Sequence, residues 1–391
     1  MSAENTAPPH VERARLIALA IGALSLALCA FGGIRNPTQF FRSYLVAYLF
    51  WVGIALGCAA IVMLHHLVGG GWGFVIRRLL EAGTRTFLLL AALFVPLVFG
   101  LSKLYRWAQP AAVAADPLLQ YKAPYLNPRF FIARTVIYFV VWILLAYFLN
   151  RWSFEQDRTA NPALTTRLEA LSGPGLILYG LTVTFASVDW AMSLEPHWFS
   201  TIYGMLFMMV QALGAMALVI VVVMLLAHTE PLAGVILPGQ LNDLGNLLLT
   251  FVMLWAYLGF SQFLIIWSGN LREEIPWYLR RATGGWAVLA VILIVLHFAV
   301  PFFLLLQRSV KRRVRVLGVV AAGLILMSLV DVYWLIVPGF GESGPRLHWM
   351  DVLAPIGIGG IWIAAFLWQL GSKPLLPLHD PRFAEAFEHG D

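Results

Sequence analysis

Ser187-Val-Asp-Trp-Ala-Met-Ser-Leu-Glu-Pro-His-Trp198 closes an apolar run that opens at Gly173. Asp189 stands near the end of that run, and Glu195 and His197 follow it. A carboxylate inside a bilayer costs at least about 2.5–3.5 kcal/mol on insertion scales, so one that is kept there points to function. The order recurs downstream. Asp331 stands near the end of another apolar run, and Glu342, Pro345, His348 and Trp349 follow it.

Composition agrees with membrane residence. Of the 391 residues 60% are hydrophobic and 12% charged, with mean hydropathy +0.80. A soluble domain carries about 25% charged residues. The 15 Trp suit interfacial belts. The net charge of +6 is small for this length, and no basic run is long enough to track a phosphate backbone, which argues against nucleic acid as a partner. Cys29 and Cys58 each stand alone in an apolar run. An iron–sulfur cluster takes about four thiolates, so this chain does not hold one by itself. There is no Cys-x-x-Cys-His haem attachment site, no His-Glu-x-x-His zinc motif and no Walker motif. The sequence thus predicts no metal site and no catalytic group acting alone.

Runs of about 20 apolar residues mark transmembrane helices. Ten are expected, at 14–34, 43–67, 84–103, 130–150, 173–193, 200–228, 241–268, 284–306, 315–337 and 349–371. The first reads as a retained helix because nine more follow it. An even number puts both termini on one side. Fifteen Lys and Arg fall on that side against eleven on the other, so the positive-inside rule predicts cytoplasmic termini. The run 308–315 contributes most of the excess, and Arg77 and Arg78 belong to a loop in this reading. A tail is expected over 372–391. On the opposite side, the loops 104–129 and 270–281 read either as docking surfaces or as loops lying at the headgroup level.

Asp189 and Asp331 lie four spans apart, an offset that preserves orientation. The expected fold is therefore all-α, with two four-helix bundles, 43–193 (spans two to five) and 200–337 (spans six to nine). Spans one and ten flank them. Tyr179, Thr182, Asp189 and Ser193 share one face of span five, and Ser328 and Asp331 form a shorter pair in span nine. Asp243, Asn246, Thr250, Tyr257 and Ser261 share one face of span seven. These eighteen steps rise about 27 Å, nearly the hydrocarbon thickness, as a proton-conducting stripe requires; the alternative reading is hydroxyls and amides that hold helices together in lipid. His65 and His66 end span two. His297 lies mid-way along span eight, and Pro301 frees its carbonyl. An imidazole there suits proton relay.

Three runs carry a family resemblance: Asp189-Trp-Ala-Met-Ser-Leu-Glu-Pro-His-Trp-Phe-Ser-Thr-Ile-Tyr-Gly204, Asn242 to Tyr257, and Phe260 to Tyr278. They resemble the ActF subunits of bacterial alternative complex III, within the NrfD/PsrC-like membrane subunits of quinone-linked oxidoreductases. The resemblance implies a bacterial inner-membrane location and two four-helix bundles. It implies a menaquinol or similar quinol as reductant. Its implied partners are a sister NrfD-like subunit (ActC), an iron–sulfur subunit, multihaem cytochromes c, lipids and a terminal oxidase. Haem c and the clusters would reside in those partners. Asp189 with His197 would serve as a quinone contact.

The expected mechanism has two half-paths. Asp243 with His65 or His66 takes up protons at the terminal side, aided by Asn246 and Thr250. Asp189, Glu195, His197 and Asp331 handle them at the outer side, and His297 or Tyr257 bridges the middle. The working quinol site is assigned to the sister subunit. A secondary transporter and a structural anchor for peripheral redox subunits are the competing readings.

Overall fold

Residues 9–230, 232–342, 344–377, 379–380 and 382–383 are described by the computed structural model. Positions 384–391 of the expected tail lie outside the described residues. The long helices are α1 (Pro9–Arg35), α2 (Pro37–Val68), α3 (Gly71–Thr84), α4 (Phe87–Phe99), α5 (Pro128–Thr159), α6 (Ala163–Trp190), α7 (Tyr203–Leu226), α8 (Pro238–Gly269), α9 (284–306), α10 (Val314–Ile336) and α11 (Trp349–Gly371). Among the described residues there is no strand. Among the described residues nine helices are long and apolar enough to cross a membrane, and the bent pair α3–α4, counted as one span, makes a tenth. The fold is all-α and of membrane type.

Local chemistry sets several helix starts. Pro37, Pro128 and Pro238 occupy first-turn positions, where a missing N–H costs nothing. Asn36 and Asn127 accept hydrogen bonds from the backbone N–H of Gln39 and Phe130, at 3.2 and 2.9 Å.

The third span departs from expectation. Hydropathy places it at 84–103 as one helix and leaves Arg77 and Arg78 in a loop. Instead the chain is already helical from Gly71, bends by 40° near Arg85, and resumes at Phe87. Charge excludes Gly71–Thr84 from a hydropathy window, yet Arg77, Arg78 and Glu81 are buried. Their pairing with groups distant in sequence is what admits them.

Helices α2, α3–α4, α5 and α6 pack together as the first four-helix group. Helices α7, α8, α9 and α10 form the second. The groups meet where α2 crosses α7, and α1 pairs with α11 on the outside of α2. Small residues set both crossings, as expected where lipid supplies no hydrophobic drive between helices. A Cβ on Gly22 would stand 2.6 Å from the Ile361 nitrogen, and one on Gly57 only 2.1 Å from the Gln211 carbonyl oxygen. Gly57→Ala is therefore expected to lower stability by about 1–3 kcal/mol through overpacking. Gly173, with nothing within 4 Å of its would-be Cβ, is the control. Thermal unfolding in detergent checks this; equal midpoints for the two alanine variants would contradict it.

Candidate functional site

Helix α6 ends at Trp190, and the chain continues through a 3₁₀ turn, Met192–Leu194. The 104–129 segment lies over this turn. The Tyr105 hydroxyl donates to the Trp190 carbonyl at 2.8 Å, the Trp107 indole to Ser193 Oγ at 3.1 Å, and Lys122 Nζ to the Pro196 carbonyl at 2.6 Å. Beneath this cover Asp189 is fully buried. Arg134, nearly two turns into α5, grips it with two parallel hydrogen bonds of 2.8 Å each. The Tyr138 hydroxyl adds a third at 2.7 Å. The Arg134 guanidinium in turn lies over the Tyr125 and Phe130 rings, 3.8 and 4.3 Å from their centroids. A bidentate guanidinium–carboxylate pair with an added hydroxyl donor meets the cost of burying both charges. Arg134 and Tyr138 were missed from sequence. The available signal was an arginine inside the apolar run 130–150, four residues before a tyrosine.

The other members of the 187–198 motif take separate partners. Glu195 binds Arg280 at 2.7 Å and Arg281 at 3.0 Å. Arg281 also donates to the Leu335 carbonyl at 2.7 Å, which ties Ile275–Arg281 to the end of α10. His197 is exposed and pairs with Asp116 at 2.7 Å. Asp189 and His197 are thus not brought together as a quinone contact: one carboxylate is occupied by Arg134, and the imidazole faces another loop. Of the best-formed hollows, the one beside Glu195 and Trp198 has essentially no room for a water, and the one beside Ser187 and Gln211 has about 10 Å³. Both fall short of the roughly 300–1,000 Å³ of small-molecule pockets.

The Asp116 carboxyl sits below its usual 3.8. Desolvation opposes this, but hydrogen bonds from His197 and from the Leu119 and Leu118 amides outweigh it. A depressed carboxyl contributes stability above the unfolded value and loses it as pH falls through the folded one. Hydrogen exchange at the Leu118 and Leu119 amides, corrected for intrinsic rate, should stay level above pH 3.8 and rise below it. A flat profile throughout would contradict this local lock.

The second copy differs. Asp331 is buried, with no cation in ion-pair contact among the described residues; it accepts a hydrogen bond from the Trp255 indole at 2.9 Å. The Trp255 and His297 rings stand 4.5 Å apart. His297 Nε2 is 3.4 Å from the Ser328 hydroxyl, and Ser328 lies one turn before Asp331 on α10. His297 belongs to a π-helical turn, Leu293–Ala299, set just before Pro301. Such turns are rare and frequent at functional sites. Its Nδ1 is buried without a partner. The chain therefore gathers Asp331, Trp255, Ser328 and His297 from three helices into one file. Glu342 and His348 have structural partners: Glu342 pairs with Arg42 at 2.8 Å, and His348 caps α11 through the Met350 amide at 3.3 Å.

On α8, Asp243, Asn246, Thr250 and Tyr257 do share a face, but that face is exposed and points away from both helix groups. The Thr250 hydroxyl donates to the Asn246 carbonyl at 2.9 Å, and the Asn246 amide oxygen accepts from Lys311 at 2.5 Å. The stripe is not an internal path, and Tyr257 does not bridge the middle of the chain. Helical period fixed which residues align, while packing put the opposite side of α8 inward.

At the terminal end His65 and His66 are fully buried; neither ring nitrogen of His66 has a partner, and His65 lies against the Gly70 backbone. His65 lies against Trp72 and Phe74. Close by in sequence is an ionic network that sequence reading missed. Arg77 binds Glu81 at 3.0 Å, Asp380 at 2.6 Å and Ser153 at 2.8 Å. Arg78 binds Glu81 and Asp157. Asp380 reaches this network from the C-terminal segment. Its carboxyl is held below the usual range because Arg77 and Arg382 overcome the opposing effect of burial.

The fold and these buried polar clusters define a multi-pass, all-α membrane protein. Neither the comparison with family models nor that with curated proteins finds a match.

Proposed function

We propose that this chain is a membrane subunit of a quinol:electron-acceptor oxidoreductase of the alternative complex III type, and that it carries protons through its second helix group. The three runs that resemble ActF sequences support the class. The observation that carries the proton role is the file Asp331–Trp255–Ser328–His297: a buried carboxylate without a cation, in line with a histidine on a π-turn. A carboxylate held by an arginine resists protonation, because the proton must displace the guanidinium. A carboxylate held by one neutral indole N–H has no such competitor. Asp331 is accordingly the proton-exchanging group: the Trp255 indole that donates to it lies 4.5 Å from the His297 ring, and the Ser328 hydroxyl, which donates to the Leu324 carbonyl, stands beside the same ring. Asp189 is a structural anchor of the outer end.

His65 and His66, both buried, are the terminal-side acceptors in this scheme. The quinol site, haem c and iron–sulfur clusters belong to partner subunits: the sister NrfD-like chain, an iron–sulfur protein and multihaem cytochromes c. The membrane is the bacterial inner membrane, with both termini cytoplasmic. The outward stripe Asp243–Tyr257 joins such a path only along a seam with a second membrane subunit.

Affinity purification of the tagged chain from its native membrane tests the class. Multihaem cytochromes and an iron–sulfur protein are expected to co-elute, and elution alone would count against the reading. Solute flux through proteoliposomes of the isolated chain would favour a transporter instead.

A further inference from the structure

Five cations fall within eight positions from the end of α9 into the first turn of α10: Arg308, Lys311, Arg312, Arg313 and Arg315. Lys311 differs from the rest. It is buried, its stem crosses α8 where a Cβ on Gly245 would meet its Cγ at 2.5 Å, and its ammonium donates to Asn246. This contact pins the turn Arg308–Lys311 against α8. The four arginines are exposed, and among the described residues none is in an ion pair or a hydrogen bond through its side chain. Asp243 is the acidic group that acts on this turn, and it acts on Lys311. Beside the turn, Phe303, Leu306, Val316 and Val319 leave a bare apolar flank on α9 and α10.

A fixed turn, four free guanidinium forks and an adjoining apolar flank match one molecule with two ends. We propose that this turn binds an anionic glycerophospholipid, with its phosphate held by the arginines and its acyl chains along α9 and α10. Guanidinium forks take phosphate oxygens in pairs, which an ammonium does not. A soluble phosphate would use the forks and leave the flank unused. A zwitterionic lipid would use the flank but bring its own cation to the forks.

The test is native mass spectrometry of the full-length protein with added dioleoylphosphatidylglycerol, dioleoylphosphatidylcholine or inorganic phosphate. Phosphatidylglycerol is expected to be retained over the other two. Each basic residue near a membrane surface changes anionic-lipid affinity roughly fivefold, so R312Q/R313Q should weaken retention about 25-fold and R308Q about fivefold. R158Q removes another exposed arginine at the same end of the molecule and should retain the lipid like the unmodified chain. Because removing two cations can disturb insertion, R312K/R313K is included: it keeps the charge, so it should still prefer phosphatidylglycerol, while retaining it more weakly than the unmodified chain because the paired guanidinium–phosphate hydrogen bonds are lost. Equal retention of the two lipids by the unmodified chain, equal binding of inorganic phosphate, or unchanged retention in R308Q would overturn the proposal.

Discussion

Asp331→Asn is expected to leave the protein folded and assembled while lowering proton-coupled turnover about 100-fold, the low end of what a positioned acid–base group contributes. The asparagine fills the same volume, and its amide oxygen still accepts from the Trp255 indole, so packing among α7, α8, α9 and α10 is kept. What it loses is the capacity to take and release a proton. Asp331→Glu keeps the carboxyl and should retain part of the activity. Thr250→Val is the matched control, since the Thr250 hydroxyl faces outward and bonds only to its own helix. The measurements are quinol-dependent electron transfer and proton release in proteoliposomes of the intact complex. Normal coupling in Asp331→Asn would make the chain an anchor rather than a conduit. His297→Gln should reproduce the Asp331→Asn defect, because both groups belong to one file.

Arg134→Leu is expected to lower stability by about 3–5 kcal/mol, the cost of leaving a buried carboxylate without its cation. Asp189 is fully buried, and both of its oxygens accept from Arg134. The substitution also removes the guanidinium from the Tyr125 and Phe130 rings, which contributes about 0.5–2 kcal/mol. Asp189→Asn should cost less than Arg134→Leu, because the Tyr138 hydroxyl can still donate to the amide oxygen. In the double variant Arg134→Leu/Asp189→Asn part of the loss should return, since neither charge is left alone. A double-mutant cycle read by thermal unfolding in detergent measures this coupling. Additive losses would mean that the pair does not act as a unit. Asp189→Asn with normal stability and failed proton coupling would restore Asp189 as a proton carrier.

The two aspartates show how far the sequence reaches. Order and spacing marked both as buried acids at the same end of two helix groups. They did not reveal that Arg134 neutralises one while Trp255 only hydrogen-bonds the other, because those partners come from different helices. The glutamates that follow are more alike: Glu195 and Glu342 both pair with arginines. Arg77 and Arg78 show the converse. Their charge made 71–84 read as a loop, whereas Glu81, Asp157 and the distant Asp380 make it a buried helix.

The sequence by itself determined that this chain spans a membrane, with ten apolar runs, the ends of most of its helices and the alignment of polar residues along each. In water those facts would also have given the direction of every helix, since the apolar side faces the core. In lipid the surroundings are as apolar as the core, so hydrophobicity does not orient a helix about its axis. Only the tertiary structure decided that the stripe of α8 points outward, that the far side of α8 delivers Trp255 to Asp331, and that Asp189 meets Arg134. Those choices rest on close packing at glycines and on pairing of buried polar groups, which depend on residues tens to hundreds of positions apart.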